Sequence, residues 1–101
     1  MSYKMLDIEK LEVASEILKA IAHPMRIAIL NLLEQSGSLA VGDLHNLLGI
    51  EQAATSHHLR LLKDKGILAN KKEGQNSFYF IRQKKVLEIV ECVRKCAEEQ
   101  M

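Results

Sequence analysis

Cysteine, proline and glycine are scarce in this chain of 101 residues: two Cys, one Pro and five Gly. Two thiols only four positions apart, Cys92 and Cys96, do not make a disulfide framework, so a reducing compartment and a cytoplasmic location are expected. So few chain breakers, with no low-complexity tract, argue against a disordered, collagen-like or linker-rich protein. No apolar run approaches the roughly 18 residues that a membrane span requires, and no membrane association is expected. The opening Met1–Lys10 mixes Lys4, Asp7, Glu9 and Lys10 with few apolar residues, unlike a secretion signal. Catalytic signatures are missing too. There is no Ser/His/Asp set with a placed base and orienter, no G-x-x-x-x-G-K-[ST] loop and no His-x-x-x-His pair. An enzyme is not expected.

What is present is 48% hydrophobic and 27% charged sequence, enough for one domain spanning residues 1–101. A chain of this size buries only roughly 60–65% of its unfolded surface, so its core is modest and a partner subunit would help. The net charge of +1 hides a division along the chain. From Ser56 to Lys85 there are eight basic residues (Arg60, Lys63, Lys65, Lys71, Lys72, Arg82, Lys84, Lys85) against Asp64 and Glu73, a surplus of six. The remainder carries five more acidic than basic residues. A basic middle between acidic ends suits a molecule of which one surface meets a polyanion.

Periodicity gives the elements. Ile8, Leu11, Ala14, Leu18 and Ile21 fall at helical steps, with Val13, Ile17 and Ala20 as a second stripe. That face is too wide for one contact, so the helix is expected to pack on its own core and on something else. Pro24 suits the first turn of a second helix, Pro24 to Gln35, with Ile27, Leu30 and Leu33 inward and Ile29 and Leu32 widening the face. Ser36-Gly37-Ser38 ends it. A short third helix, Val41 to Leu48, carries apolar Leu44, Leu47 and Leu48 and stops at Gly49. A fourth, Glu51 to Lys65, turns Ala54, Thr55, Leu59 and Leu62 inward. Two helices joined by a short Gly-containing turn have helix-turn-helix spacing. After Gly66, Ile67–Lys72 reads as a strand, Glu73-Gly74-Gln75-Asn76 as a turn, and Ser77–Arg82 as the returning strand. From about Lys84 helical period resumes, with Val86, Ile89, Val90, Val93 and Ala97 in one stripe. The fold class is therefore mainly α with a small β-hairpin (α+β). It is a winged helix-turn-helix of about five helices plus a two-stranded wing, in the order α-α-α-α-β-β-α.

On duplex DNA, phosphate contacts position a protein and base edges specify the site. The inward residues of the fourth helix leave Gln52, Ala53, Ser56, His57 and Arg60 on its outer face. Gln can pair bidentately with adenine and Arg with guanine, while small Ala53 and Ser56 let the helix seat deeply. Lys71, Lys72, Gln75 and Asn76 lie on the hairpin, where they can follow a phosphate line or enter a minor groove, and Lys63 and Lys65 extend the cationic edge. His58, beside the buried face, is expected to be a half-buried, hydrogen-bonded packing residue. His23 and His45 are single imidazoles with no evident partner, expected to be solvated.

Three segments carry a family resemblance. They are His23-Pro24-Met25-Arg26-Ile27-Ala28-Ile29-Leu30, Val41-Gly42-Asp43-Leu44, and Thr55-Ser56-His57-His58-Leu59-Arg60-Leu61-Leu62-Lys63 through Gly66-Ile67-Leu68. Together they are similar to the ArsR/SmtB family of bacterial transcriptional repressors, over about Leu11 to Cys96. The resemblance implies a homodimer joined through the first (about 7–21) and last (about 84–99) helices. It also implies binding to double-stranded operator DNA and release by an inducer.

The sensor departs from the family. Where the metalloid sensors carry Cys-Val-Cys-Asp-Leu, this chain has Ala40-Val41-Gly42-Asp43-Leu44. The positions matching the zinc sensors' Asp, His, His and Glu resemble Gln83, Lys85, Cys96 and Glu99, and the Lys removes a ligand. Persulfide sensors need a thiol on the second helix, and this one has none. Cys92 and Cys96 remain, at i and i+4, close enough to share a soft metal or metalloid such as Zn, Cu(I) or As(III). Three readings stay open for them: small apolar packing residues, metal or metalloid sensing, and oxidation linking two subunits. Two alternatives to an inducible repressor also stand: a constitutive winged-helix regulator with no small-molecule sensor, and a winged-helix protein-interaction module.

Overall fold

The first helix starts where Asp7 accepts the backbone N–H of Lys10 on its carboxylate at 3.1 Å, satisfying one of the four donors a helix start leaves free. The computed structural model describes residues 7–101. Met1–Leu6, the bulk of the opening read as no secretion signal and one end of the expected 1–101 domain, lie outside the described residues. From Asp7 the order is α1 (Ile8–Ile21), α2 (Pro24–Ser36), β1 (Ser38–Ala40), α3 (Val41–Leu48), α4 (Gln52–Asp64), β2 (Leu68–Glu73), β3 (Asn76–Ile81) and α5 (Val86–Gln100). The five helices and the hairpin fall in the order expected from sequence, with one strand added.

That strand, β1, joins the antiparallel sheet at the free edge of β3, giving the order β1-β3-β2. Its register pairs Ser38 with Phe80 and Ala40 with Phe78. The wing is thus two strands of a three-stranded sheet, not an isolated two-stranded ribbon. The hairpin turn is also tighter than expected. Glu73 and Asn76 are a paired strand couple, so the turn is Gly74-Gln75 alone. Gly74 takes φ +63°, the conformation a two-residue hairpin of the II′ kind demands at its first position. Gly49 ends α3 in the left-handed region with φ 69°, so the chain swings directly into α4.

The core gathers Ile29, Leu30 and Leu33 of α2, Leu44 of α3, Leu59 and Leu62 of α4, Ile67 and Leu68 before and in β2, and Val90 of α5, each almost fully buried. One inward assignment fails. Ala54 is exposed, because the buried side of α4 runs through Thr55, Leu59 and Leu62 at steps of four and three, and Ala54 sits about 100° off it. Leu47 is 61% exposed, since only the Leu44 side of the eight-residue α3 meets the core. The radius of gyration, 15.5 Å, exceeds the roughly 13 Å of a close-packed chain of about 100 residues. Helix faces left without a partner are consistent with this. On α1, Ile8, Leu11, Val13 and Leu18 are each at least half exposed, and on α5 Ile89 and Val93 are more than a third exposed. Both helices flank α2.

Candidate nucleic-acid interface

The fourth helix divides into two sides. Thr55, Leu59 and Leu62 are fully buried, and the Thr55 hydroxyl donates to the Glu51 carbonyl at 3.1 Å, so that hydroxyl is not stranded in the core. The opposite side carries Gln52, Ala53, His57 and Arg60 exposed, with Ser56 half-buried at its margin. All five residues expected to meet DNA therefore share one outer side of one 13-residue helix. At about 1.5 Å per residue this is a rod of roughly 20 Å, and a major groove about 12 Å wide admits such a helix. Gln52 and Arg60 bracket the small residues about two turns apart along the helix.

On the wing, Lys71, Lys72, Gln75 and Asn76 are all exposed, as is Lys63 on α4. Consecutive strand residues face opposite ways. Lys71 lies opposite Phe78 and Lys72 opposite Ser77, so the two cations leave the ribbon from its two faces. Asn70 Nδ2 donates to Ser77 Oγ at 2.6 Å, a cross-strand bond that stiffens the hairpin below its tip. Gln75 is at the tip and Asn76 begins β3. Arg60, Lys63, Lys71 and Lys72 enter no ion pair among the described residues, leaving four cations per chain available to an anion. Lys65 is different. Its ammonium donates to Glu16 of α1 at 3.3 Å. That hydrogen bond, with the charge of Lys19, holds the Glu16 carboxyl below the ordinary carboxylate range. Lys65 thus ties α4 to α1.

The histidines correct the sequence reading. His23 is half-buried, not solvated. It is the N-cap of α2, its Nδ1 accepting the Met25 N–H at 3.1 Å, and its ring lies 4.5 Å from that of His58, centroid to centroid, tilted by 49°. A signal for it was present in the sequence: Pro24 at the first helical position marks the residue before it as the cap. His58 is half-buried as expected but not hydrogen-bonded at Nδ1, and Arg26 Nε is likewise buried without a partner. Burial first, then the positive fields of His23, Arg26 and His57, push His58 below the ordinary histidine value. His45 also has a partner, its Nδ1 lying 3.3 Å from the Ile50 carbonyl.

Cys92 and Cys96 are both exposed free thiols. The reading of Cys96 as a packed apolar residue is not met within the single chain. Cys92 lines a shallow groove with Glu34, Leu87, Glu88, Glu91 and Lys95. On the same helix Arg94 donates to Glu91 and Glu98 at 2.7 Å and holds the Glu91 carboxyl low. Among the described residues no three His, Cys, Asp or Glu side chains converge as a metal-binding set. No helix is long and apolar enough to cross a membrane.

Comparison with known proteins places this arrangement. Residues 23–70 match the family described as bacterial regulatory protein, arsR family. The chain is 43% identical to an uncharacterized HTH-type transcriptional regulator, MJ1325, of Methanocaldococcus jannaschii, over 85% of this chain and 97% of that protein. Its fold is similar to a homodimeric winged helix-turn-helix DNA-binding domain, Mb0332 of Mycobacterium bovis, with a TM-score of 0.81 and 27% identity, covering 100% of this chain and 94% of the other. It is equally similar to the antimony-specific transcriptional repressor AntR, with a TM-score of 0.82 and 31% identity, over 98% of this chain and 88% of that one.

Proposed function

The chain belongs to the arsR family of bacterial regulatory proteins, and from that premise we propose that it is a homodimeric repressor reading double-stranded operator DNA through α4 and the wing. The observation that carries this reading is the division of α4. Its inner side is wholly buried, while Gln52, Ala53, Ser56, His57 and Arg60 stand outward beside the exposed Lys63, Lys71 and Lys72. The apolar faces left open on α1 and α5 support dimerisation through those helices, residues 1–101 then forming one domain of a symmetric pair. Two copies place two reading helices about one duplex turn apart, roughly 34–36 Å, on an imperfect palindrome. The location is the cytoplasm, where such DNA is met. The protein is a DNA-binding regulator and not a catalyst.

Relief of repression by a soft metal or metalloid at Cys92 and Cys96 completes the proposal. AntR is an antimony-specific repressor, and a Staphylococcus aureus relative is a cadmium resistance regulator. Here the thiols fit such a group in part. They are exposed and one turn apart on α5, and thiolates suit soft ions, but no third donor joins them among the described residues. Remaining ligands would come from the second subunit or from solvent. The reaction of the chain itself is to lose two thiol protons and bring α5 under a new constraint.

The test is anisotropy of a labelled duplex with the reduced protein, with and without a metal and metalloid panel. Salt-dependent binding that one of these ions reverses, and that Cys92→Ser with Cys96→Ser makes insensitive, supports the full proposal. Salt-dependent binding that no ion or oxidant touches supports the constitutive alternative. No salt-dependent duplex binding at all refutes the DNA reading and leaves the protein-interaction module.

A further inference from the structure

Four groups able to carry positive charge meet where the start of α2 touches α4. His58 stands on the buried margin of the DNA-reading helix, and its ring lies 4.5 Å from that of His23. His57 follows on the same helix at 5.9 Å. Arg26, one turn into α2, keeps its Nε buried with no acceptor. Of the elements packed on α4, only the start of α2 brings charge to bear on the His58 ring, through His23 and Arg26. No group of α1, α3 or β2 contributes, and no carboxylate does so among the described residues.

The cap fixes the tautomer of His23. Its Nδ1 accepts the Met25 N–H, which requires a lone pair on that nitrogen, so the neutral ring carries its proton on Nε2. An imidazolium would turn a donor against a donor at the cap, at the positive end of the α2 dipole, and would face Arg26 and His58. The same tautomer argues against a metal between the rings, because Nε2 is then a donor and not a ligand. His58 has no acceptor for an added proton at its buried Nδ1. The His58 ring thus fits its place only without charge, beside a His23 whose Nδ1 lone pair is committed to the cap.

Resting on the DNA-reading assignment of α4, we propose that His23 and His58 are positioning residues for that helix, a pair that seats α4 against α2 while uncharged and releases it on protonation. Acidification then weakens sequence-specific binding from inside the protein. This opposes the ordinary trend, in which an exposed histidine at a nucleic-acid interface gains charge and grips phosphate more tightly.

The magnitude follows from the cost of removing a proton. In the released state one ring with an ordinary histidine pKa of about 6.5 is roughly 90% protonated at pH 5.5, so reseating α4 costs up to about tenfold in affinity, the full factor applying where the released state prevails. The experiment measures operator affinity between pH 7.5 and 5.5 in a His57→Gln background, which removes the exposed imidazole of the reading face. It is repeated with His23→Asn, whose amide keeps an acceptor at the cap but removes the ring. The expected result is a fall of up to about tenfold in the first protein and a clearly smaller fall in the second, where burial still disfavours a charged His58. A flat profile in the first, or the same fall in both, overturns the proposal. NMR titration of the His58 ring in the free full-length protein is the independent arm. His58 titrating below the ordinary value, and returning toward it with His23→Asn, supports the pair; an unchanged titration overturns it. If duplex binding is absent at every pH, the DNA reading itself fails, and the ring titration still judges the contact between the two histidines.

Discussion

Removing the wing lysines gives the most quantitative check on the DNA interface. Arg60, Lys63, Lys71 and Lys72 are the exposed cations of α4 and the hairpin that no carboxylate holds among the described residues. If each meets phosphate, a homodimer makes about eight contacts, and at about 0.9 released counterions per contact the plot of log affinity against log salt has a slope near −7. Raising salt from about 50 to 200 mM then costs about four powers of ten in affinity. Replacing Lys71 and Lys72 together by Ala halves the contacts and brings the slope to about −4. Each single replacement leaves it near −5, provided both faces of the ribbon touch backbone, as they do when a hairpin stands edge-on in a groove with a phosphate line on either side. The lysines are exposed at the ribbon's end, so thermal unfolding should move by less than about 0.5 kcal/mol, and a lost slope is not lost fold. The assay is fluorescence anisotropy of a labelled duplex at four or five salt concentrations. An unchanged slope in the double variant refutes the wing contact. A loss confined to Lys71→Ala or to Lys72→Ala alone shows a ribbon lying flat on one strand.

Three further outcomes follow from the same geometry. Arg60→Ala is expected to cost about 1–3 kcal/mol on the preferred site and to flatten discrimination between sites; if competition with altered duplexes shows affinity lost and discrimination kept, Arg60 touches only phosphate. Val13→Glu, placing a charge on the exposed apolar face of α1, should turn the dimer into a monomer in light scattering while leaving the circular dichroism of the helices in place; an intact dimer would move the interface elsewhere. His58 prefers to be neutral in the fold, so its stabilising contribution is complete above the unfolded value near 6.5 and is lost as pH falls below it. Thermal unfolding should therefore show a lower melting temperature at pH 5.5 than at pH 7.5, the difference shrinking in His58→Gln.

The elements legible in the sequence were those fixed by local rules. The bounds of α3 could be read to the residue because its apolar run ends on a glycine that must turn left-handed, and the wing because β-branched and aromatic residues flank a glycine turn. β1 was not legible. Three residues, Ser38-Leu39-Ala40, hold no period, and only the distant edge of β3 makes them a strand. The outer face of α4 was readable from its inner one, Ala54 excepted. The partners of His23 and His58 were not, since they lie 35 positions apart in sequence and meet only when α2 and α4 pack. The open faces of α1 and α5 were visible as an excess of apolar positions, whereas the setting of Cys92 and Cys96 is decided by whatever covers α5.

The central claim is that two copies of α4 read one duplex as a symmetric pair. Selecting bound sequences from a pool of randomised duplexes tests it directly, because the protein itself picks its operator from the pool. The prediction is an inverted repeat whose half-site centres lie about 10–10.5 base pairs apart, bound by two chains and lost when about five base pairs are inserted between the halves. Enrichment of a single unpaired half-site, or a pool that never converges, would contradict it.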